Sequence, residues 1–222
     1  VLPELERTLS AEISEVLNIA NPEVSLALPV DLKQFAEAMV TPGKDALCPV
    51  VKTMVPRTTE GPRAQKEPSK TIILDGMAVF KQDRLEGFLS PLETKGLLYL
   101  LGQARGGVIT AHIKGKHTAG VSFLMSRSSS KIKPVIKDAR LMIEITINAE
   151  ADISEVGGDI PVGDPEIVRQ LSTVFAAEVK TLAENTLKKV QKNYKSDVLG
   201  FGNKVHKEYP EYWRSIEKEW NE

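Results

Sequence analysis

One cysteine, three histidines, an aromatic share of 5% and a formal net charge of -1 are all that 222 residues provide in those categories. Each shortage closes a class of function. A lone cysteine excludes an intramolecular disulfide and a zinc site of the cysteine-rich kind. Cys48 lies in the apolar run Ala46-Leu47-Cys48-Pro49-Val50-Val51, where a buried structural thiol is expected rather than a nucleophile. No run of about 18 apolar residues exists, so no helix is expected to span a membrane. Charge near zero, with aromatics not interleaved among the basic residues, argues against a nucleic-acid partner. The chain opens at Val1 with no signal peptide, and it is read as the remnant of a longer precursor. What remains is ordinary for a globular protein, 41% hydrophobic and 27% charged, enough for one fair-sized domain or two small ones.

Periodicity then assigns the elements. Leu5, Leu9, Ile13 and Val16/Leu17 recur at helical spacing until Asn21-Pro22. Asp31 caps a short helix carrying Leu32, Phe35, Ala36 and Met39, which Pro42-Gly43 ends. Ala46 to Val55 reads as a strand, at an edge because of Pro49, and Pro56 to Ser69 as a loop. "TIILDGMAVF" and "RLEGFLS" are strands joined through Lys81-Gln82-Asp83. "PLETKGLLYLLG" is a helix started by Pro91 and stopped by Gly102. "GGVITAHIKG" and "AGVSFLMS" are strands, "SRSSSK" from Ser126 to Lys131 is a polar connection, and "KIKPVI" is a short edge strand. In "LMIEITINAEADI" the residues alternate strictly, Leu141, Ile143, Ile145 and Ile147 on one face and Glu144, Thr146 and Asn148 on the other. One packed and one wet face indicate an antiparallel sheet. Asp164 and Pro165 then open a long helix with Leu171, Phe175, Val179, Leu182, Leu187, Val190 and Tyr194 in one stripe. Run to Val198, it would span about 50 Å. The expected class is α+β. An antiparallel or mixed sheet packs on a long C-terminal helix in residues 91–222, after a smaller α+β region in 1–90.

Enzyme signatures fail one at a time. Gly200 and Gly202 begin a G-x-G-x-x-G, but Val205 replaces the third glycine and the pair follows a helix rather than a strand. Gly115-Lys116 has Thr110 in place of the first P-loop glycine and His117 in place of Ser or Thr. His112 and His117 flank a turn, and nothing else has metal-ligand spacing. No G-x-S-x-G elbow is present. Glu144 and Glu150 share a strand face but stand about 20 Å apart, too far for a glycosidase pair at roughly 5 to 9.5 Å. No catalytic, cofactor-binding or metal-binding residue is assigned.

Charge is unevenly spread. Arg105 to Arg140 holds eight Lys/Arg and one acid, and Leu141 to Val168 holds seven acids and no Lys/Arg. Cross-strand ion pairing within one sheet explains this; a dipolar surface facing an anionic membrane or acidic partner is the alternative. Lys188, Lys189, Lys192 and Lys195 crowd the end of the long helix, where they complement its dipole or form a patch for an anionic partner. In "DVLGFGNKVHKEYPEYW" Gly200 is expected as a left-handed helix stop with Phe201 folding back. Pro210 starts a last helix on which Trp213, Ile216 and Trp220 face one side and clamp it to the body.

The order of these features resembles a known family. "YKSDVLGFGNKVHKEYPEYW" with "IEKEW" is similar to the C-terminal signature of the Ger(x)C spore-germination proteins. "DGMAVFKQDRLEGFLSPLETKGLLYLLG" resembles a second signature, and Phe35 to Val51 with "DALCPVV" a third. Together they cover most of the chain in the family's order. The resemblance implies a multidomain α+β build and no enzymatic activity. It implies the role of lipoprotein C subunit in a nutrient germinant receptor, on the outer surface of the inner spore membrane. It also implies membrane-embedded A and B subunits as partners. The lipidated cysteine would lie in an N-terminal region missing here, since Asp45-Ala46-Leu47 before Cys48 is no lipobox. A small-ligand-binding or hydrolytic extracytoplasmic domain is the alternative. Structural or partner-contact candidates are Gly200, Gly202, Trp213, Trp220, Lys188 and Lys192.

Overall fold

The computed structural model describes residues 25–54, 71–113, 119–138, 140–158 and 160–220, together with Ala11, Ile13, Ser14 and Leu17, which are helical. The expected loop from Pro56 to Ser69, and His117, lie outside the described residues.

Local chemistry starts and stops the elements. Helix α1 (Leu32–Val40) opens on a capping box: the Asp31 side chain accepts from Gln34 N and the Gln34 side chain accepts from Asp31 N. Strands β1 (Leu47–Met54), β2 (Thr71–Lys81) and β3 (Arg84–Leu89) form an antiparallel sheet in that order, so the Pro49 strand is an edge. Helix α2 (Pro91–Leu101) has a Ser90/Glu93 capping box, Pro91 in its first turn and Gly102 left-handed at its end. Strands β4 (Val108–Ile113), β5 (Ala119–Lys137) and β6 (Arg140–Val156) form the second antiparallel sheet, with β5 central. Asp164 caps helix α3 (Pro165–Lys188), which buries Leu171, Phe175, Val179 and Ala183. The described residues are therefore α+β, with two three-stranded antiparallel sheets and one long helix.

Three stretches differ from the sequence expectation. "KIKPVI" is not a short strand of its own but the last part of β5, paired with β6. Ser126 to Lys131 is not a connection: β5 continues through it after a register shift at Ser126, with Ser128, Ser129 and Ser130 opposite Ala149, Asn148 and Ile147. Polarity suggested a loop, but the small side chains serve packing. A Cβ on Gly102 would lie 2.3 Å from Ser130 N, so the end of α2 sits directly on the β5 backbone. The long helix also does not reach Val198. It gives way to a π-helical turn, Lys189–Asn193, and then to Lys195 at φ 47°. Two further helices follow, α4 (Phe201–Glu208) and α5 (Pro210–Ile216). Gly200, at φ 69° and ψ 37°, opens α4 rather than stopping α3.

Two apolar clusters form the core. In one, Met77, Val79 and Leu89 of the first sheet meet Leu97 and Leu100 of α2, Ala183 of α3, and Val198, Leu199 and Phe201 near the C-terminus. In the other, Leu98 and Tyr99 of α2 join Phe123 and Met125 of β5 and Phe175 of α3. The boundary expected at residue 90 falls between β3 and α2, and the first cluster draws on both sides of it.

Candidate functional site

Asp197 organises the C-terminal segment. Helix α4 starts with backbone N–H groups that need acceptors. Phe201 N and Gly202 N donate to the Asp197 carboxylate at 2.9 and 2.7 Å. Asn203 N donates to Gly43 O at 2.8 Å, and Lys204 N to Gly200 O at 3.1 Å. The indole N–H of Trp220 also donates to Asp197, at 2.9 Å. Asp197 is joined reciprocally to Asp45. Asp197 N donates to Asp45 Oδ2 at 2.7 Å, and Asp45 N donates to Asp197 O at 2.9 Å. The other Asp45 oxygen accepts from Gln82 N in the β2–β3 turn at 3.1 Å, and Ser196 Oγ donates to Phe80 O at 2.7 Å. Burial pushes the Asp197 carboxyl above its ordinary range; the N–H donors pull it back, and neighbouring Asp45 adds to the rise. These contacts fasten residues far apart in sequence: the turn before β1, the β2–β3 hairpin, and both ends of the C-terminal helical pair.

Gly202 lets this junction close. A Cβ there would meet Gly43 Cα at 2.7 Å, Trp220 Nε1 at 2.6 Å and the Trp213 ring at 2.8 Å. Two backbones cross where neither has room for a side chain. Trp213 is buried, stacks on His206 and meets Trp220 edge-on, with ring centroids 5.4 Å apart. The structure thus brings Gly200, Gly202, Trp213 and Trp220 to one place. Lys188 and Lys192 are elsewhere, exposed on the last turn of α3 and in the π-helical turn. Of the neighbouring lysines, Lys189 reaches inward to Glu93 Oε2 at 2.7 Å and Phe88 O at 3.0 Å. The sequence reading missed Asp45 and Asp197; an aspartate four residues before the first residue of α4 was the available signal.

Other candidates lie apart. Cys48 is half-buried and burial raises its pKa, which suits an inert thiol. His112 is exposed on β4, and among the described residues no group of three His, Cys, Asp or Glu side chains is placed to hold a metal ion. Glu150 forms a two-pronged ion pair with Arg127 at 2.7 and 2.8 Å, and Lys133 stands opposite Glu144. A cross-strand ion pair thus joins the basic and acidic blocks at Arg127–Glu150. A groove of about 1150 Å³ runs between β6 and α3, lined by Ile143, Ile145, Ile147, Ala149, Leu171, Phe175 and Val179. It exists because α3 packs on α2 and β4 and leaves the inner face of β6 half covered. It is open to solvent and its walls are mixed, the aliphatic residues being joined by Ser172, Lys180 and Glu184 of α3 and by Asn148, Glu150 and Asp152 of β6, so it is a surface groove rather than an enclosed polar pocket.

Fold and junction together define a two-sheet α+β module closed by a C-terminal helical lock, and among its described residues no helix is long and apolar enough to cross a membrane. The chain belongs to the family described as spore germination B3/GerAC like, C-terminal, which matches residues 75–222. Among curated proteins of Bacillus subtilis (strain 168), it is 29% identical to spore germination protein YndF over 64% of this chain and 35% of that one. It is 22% identical to spore germination protein KC over 100% of this chain and 55% of the relative, and 26% identical to spore germination protein B3 over 67% and 40%. The chain thus spans about half or less of the length of these relatives. A crystal structure of the GerBC protein shares the fold, with a TM-score of 0.66 and 22% identity, over 97% of this chain and 61% of that one.

Proposed function

We propose that this protein acts as a non-enzymatic C subunit of a spore nutrient germinant receptor. In this reading it works through contacts with membrane-embedded A and B subunits. It is held at the outer surface of the inner spore membrane by a lipid anchor on a region outside this sequence. The observation that carries the reading is the family assignment over residues 75–222. That span runs from β2 through both core clusters to the C-terminal lock, so the shared feature is a scaffold, and a scaffold acts by what it presents. Exposed Lys192, beside the end of α3, and Ser129, on the outer face of β5, are candidate contact positions. Arg63 is a third, outside the described residues.

Photo-reactive residues placed at Lys192, Ser129 and Arg63 in the intact receptor test this directly. Crosslinks to an A or B subunit from at least one position are expected. A receptor that assembles yet yields no crosslink from any of the three would remove these surfaces from the proposal. Recovery of the protein without A and B would remove the receptor role itself.

A further inference from the structure

Strand β6 is long and, among the described residues, lies at the border of its sheet. Its partner β5 follows it from Arg140 to Val156, and among the described residues no strand takes the other side. An unpaired edge presents a row of N–H and C=O groups that can template another strand, and proteins normally cover or interrupt such edges. The free edge of β5 beyond β4 is covered in that way: the end of α2 abuts Ser130, and Ser128 Oγ donates to Ala104 O at 3.0 Å. β6 carries no proline and no lysine, and its one register shift, at Ser154, lies close to its end, so the stretch from Leu141 to Ile153 is uninterrupted on the β6 side; the charges it carries there are acids. Its free edge runs beside the groove described above.

The two faces of β6 differ in chemistry. On the inner face Ile143, Ile145 and Ile147 are half-buried and unfinished as a packing surface. On the outer face Glu144, Glu150 and Asp152 are exposed. Across β5 these acids meet Lys133, Arg127 and Ser126, the last donating to Asp152 Oδ2 at 2.7 Å. A strand added on the other side would complete the pattern if it placed cations beside the acids, since opposite charges on neighbouring strands attract and like charges repel. We propose that the free edge of β6 is a strand-addition site for an extended segment of a partner protein. That segment carries Lys or Arg over Glu144, Glu150 and Asp152, and aliphatic residues in the groove against α3. A second copy is a poorer occupant, because full-length antiparallel self-pairing centred on Asn148 sets Glu144 against Asp152. A helix in the groove would leave the edge unpaired. The inference does not depend on the receptor reading.

The test uses the 222-residue chain and two synthetic peptides of roughly ten residues, one alternating valine with lysine and one alternating valine with glutamate. The lysine peptide is expected to bind and to slow amide hydrogen exchange at every second residue of β6. The glutamate peptide is expected to bind at least about tenfold more weakly. The double substitution Glu144→Lys/Asp152→Lys, on exposed side chains, is expected to weaken the lysine peptide by about tenfold or more; it forfeits the pairing with Lys133 and the Ser126 bond, so a melting temperature lower by a few degrees is expected, without loss of the fold. Should that variant misfold, Glu144→Gln/Asp152→Asn carries the same test with a smaller loss. Equal binding of both peptides, binding without protection of β6, or no binding at millimolar peptide overturns the proposal. So does a dimer in sedimentation whose β6 edge is already protected without peptide, which would assign the edge to a second copy.

Discussion

At the scale of single residues, two glycines two positions apart are held by different forces. Gly200 is left-handed, a conformation that costs an L-residue about 1–2 kcal/mol. Space is not the constraint there, because a Cβ would meet only the Lys44 side chain, at 3.5 Å. Gly202 is helical, and its constraint is contact: Gly43 backbone and two indole rings lie within 2.8 Å of where a Cβ would sit. Neither neighbour can yield cheaply, since one is backbone and the rings are bonded to Asp197 or buried. Gly202→Ala should therefore cost about 3 kcal/mol through overpacking, more than Gly200→Ala at about 1 kcal/mol. Urea denaturation of the two variants checks the order. The reverse order would mean that the Gly43–Gly202 crossing is looser than the structure shows. Asp197 enters the same account with a sign. Its raised pKa means the fold favours the protonated form, a contribution full below the ordinary aspartate range and lost as pH rises through the folded value.

Elements meet most closely at the α2–α3 crossing. Gly96 faces Leu182 O and Thr186 Oγ1, each 2.3 Å from an imagined Cβ, and Thr186 Oγ1 donates to Glu93 O at 2.8 Å. In an isolated helix Gly96→Ala would gain about 1 kcal/mol. Here it should lose at least about 2 kcal/mol, because the helices must part and the Thr186 bond must lengthen. Thermal melts distinguish the two outcomes by sign. One turn beyond Thr186, the Lys189–Glu93 ion pair fixes the π-helical end of α3 to the capping box of α2. Partial burial raises the Glu93 pKa, but bonds from Lys189 and Ser90 outweigh it and hold the carboxyl below its usual range. A lowered carboxyl pKa stabilises the fold above the unfolded value and loses that contribution as pH falls through the folded one. Lys189→Met should therefore destabilise by about 1–2 kcal/mol at neutral pH, and by less as pH drops below about 4. A deficit that stays constant down to pH 3 would show that Lys189 acts through packing alone.

Across the whole molecule, what sequence could reveal tracks how local its cause is. The caps at Asp31 and Asp164, the Pro91 start and Gly102 stop of α2, the alternation in β6 and the stripe of α3 depend on neighbours a few residues away, and all are present. The serines of β5 and the early end of α3 depend on α2, which packs on both from elsewhere in the chain. The lock was half legible: its tryptophans and glycines stood out, while Asp45 became a partner of Asp197 only through folding. This bears on how many cooperative units exist. The first core cluster joins β2, β3, α2, α3 and Phe201, so a division at residue 90 would cut through packed side chains. Both tryptophans of the chain, Trp213 and Trp220, sit in the lock, whereas far-UV circular dichroism reports mainly the sheets and α3. If the shared core governs stability, fluorescence and dichroism must report one urea transition with one midpoint. Asp45→Ala leaves Asp197 N and Gln82 N without acceptors, at a cost of about 2–4 kcal/mol, and should move both transitions together. Fluorescence that changes at lower urea than dichroism, in the parent or more widely in Asp45→Ala, would instead make the lock a separately opening unit.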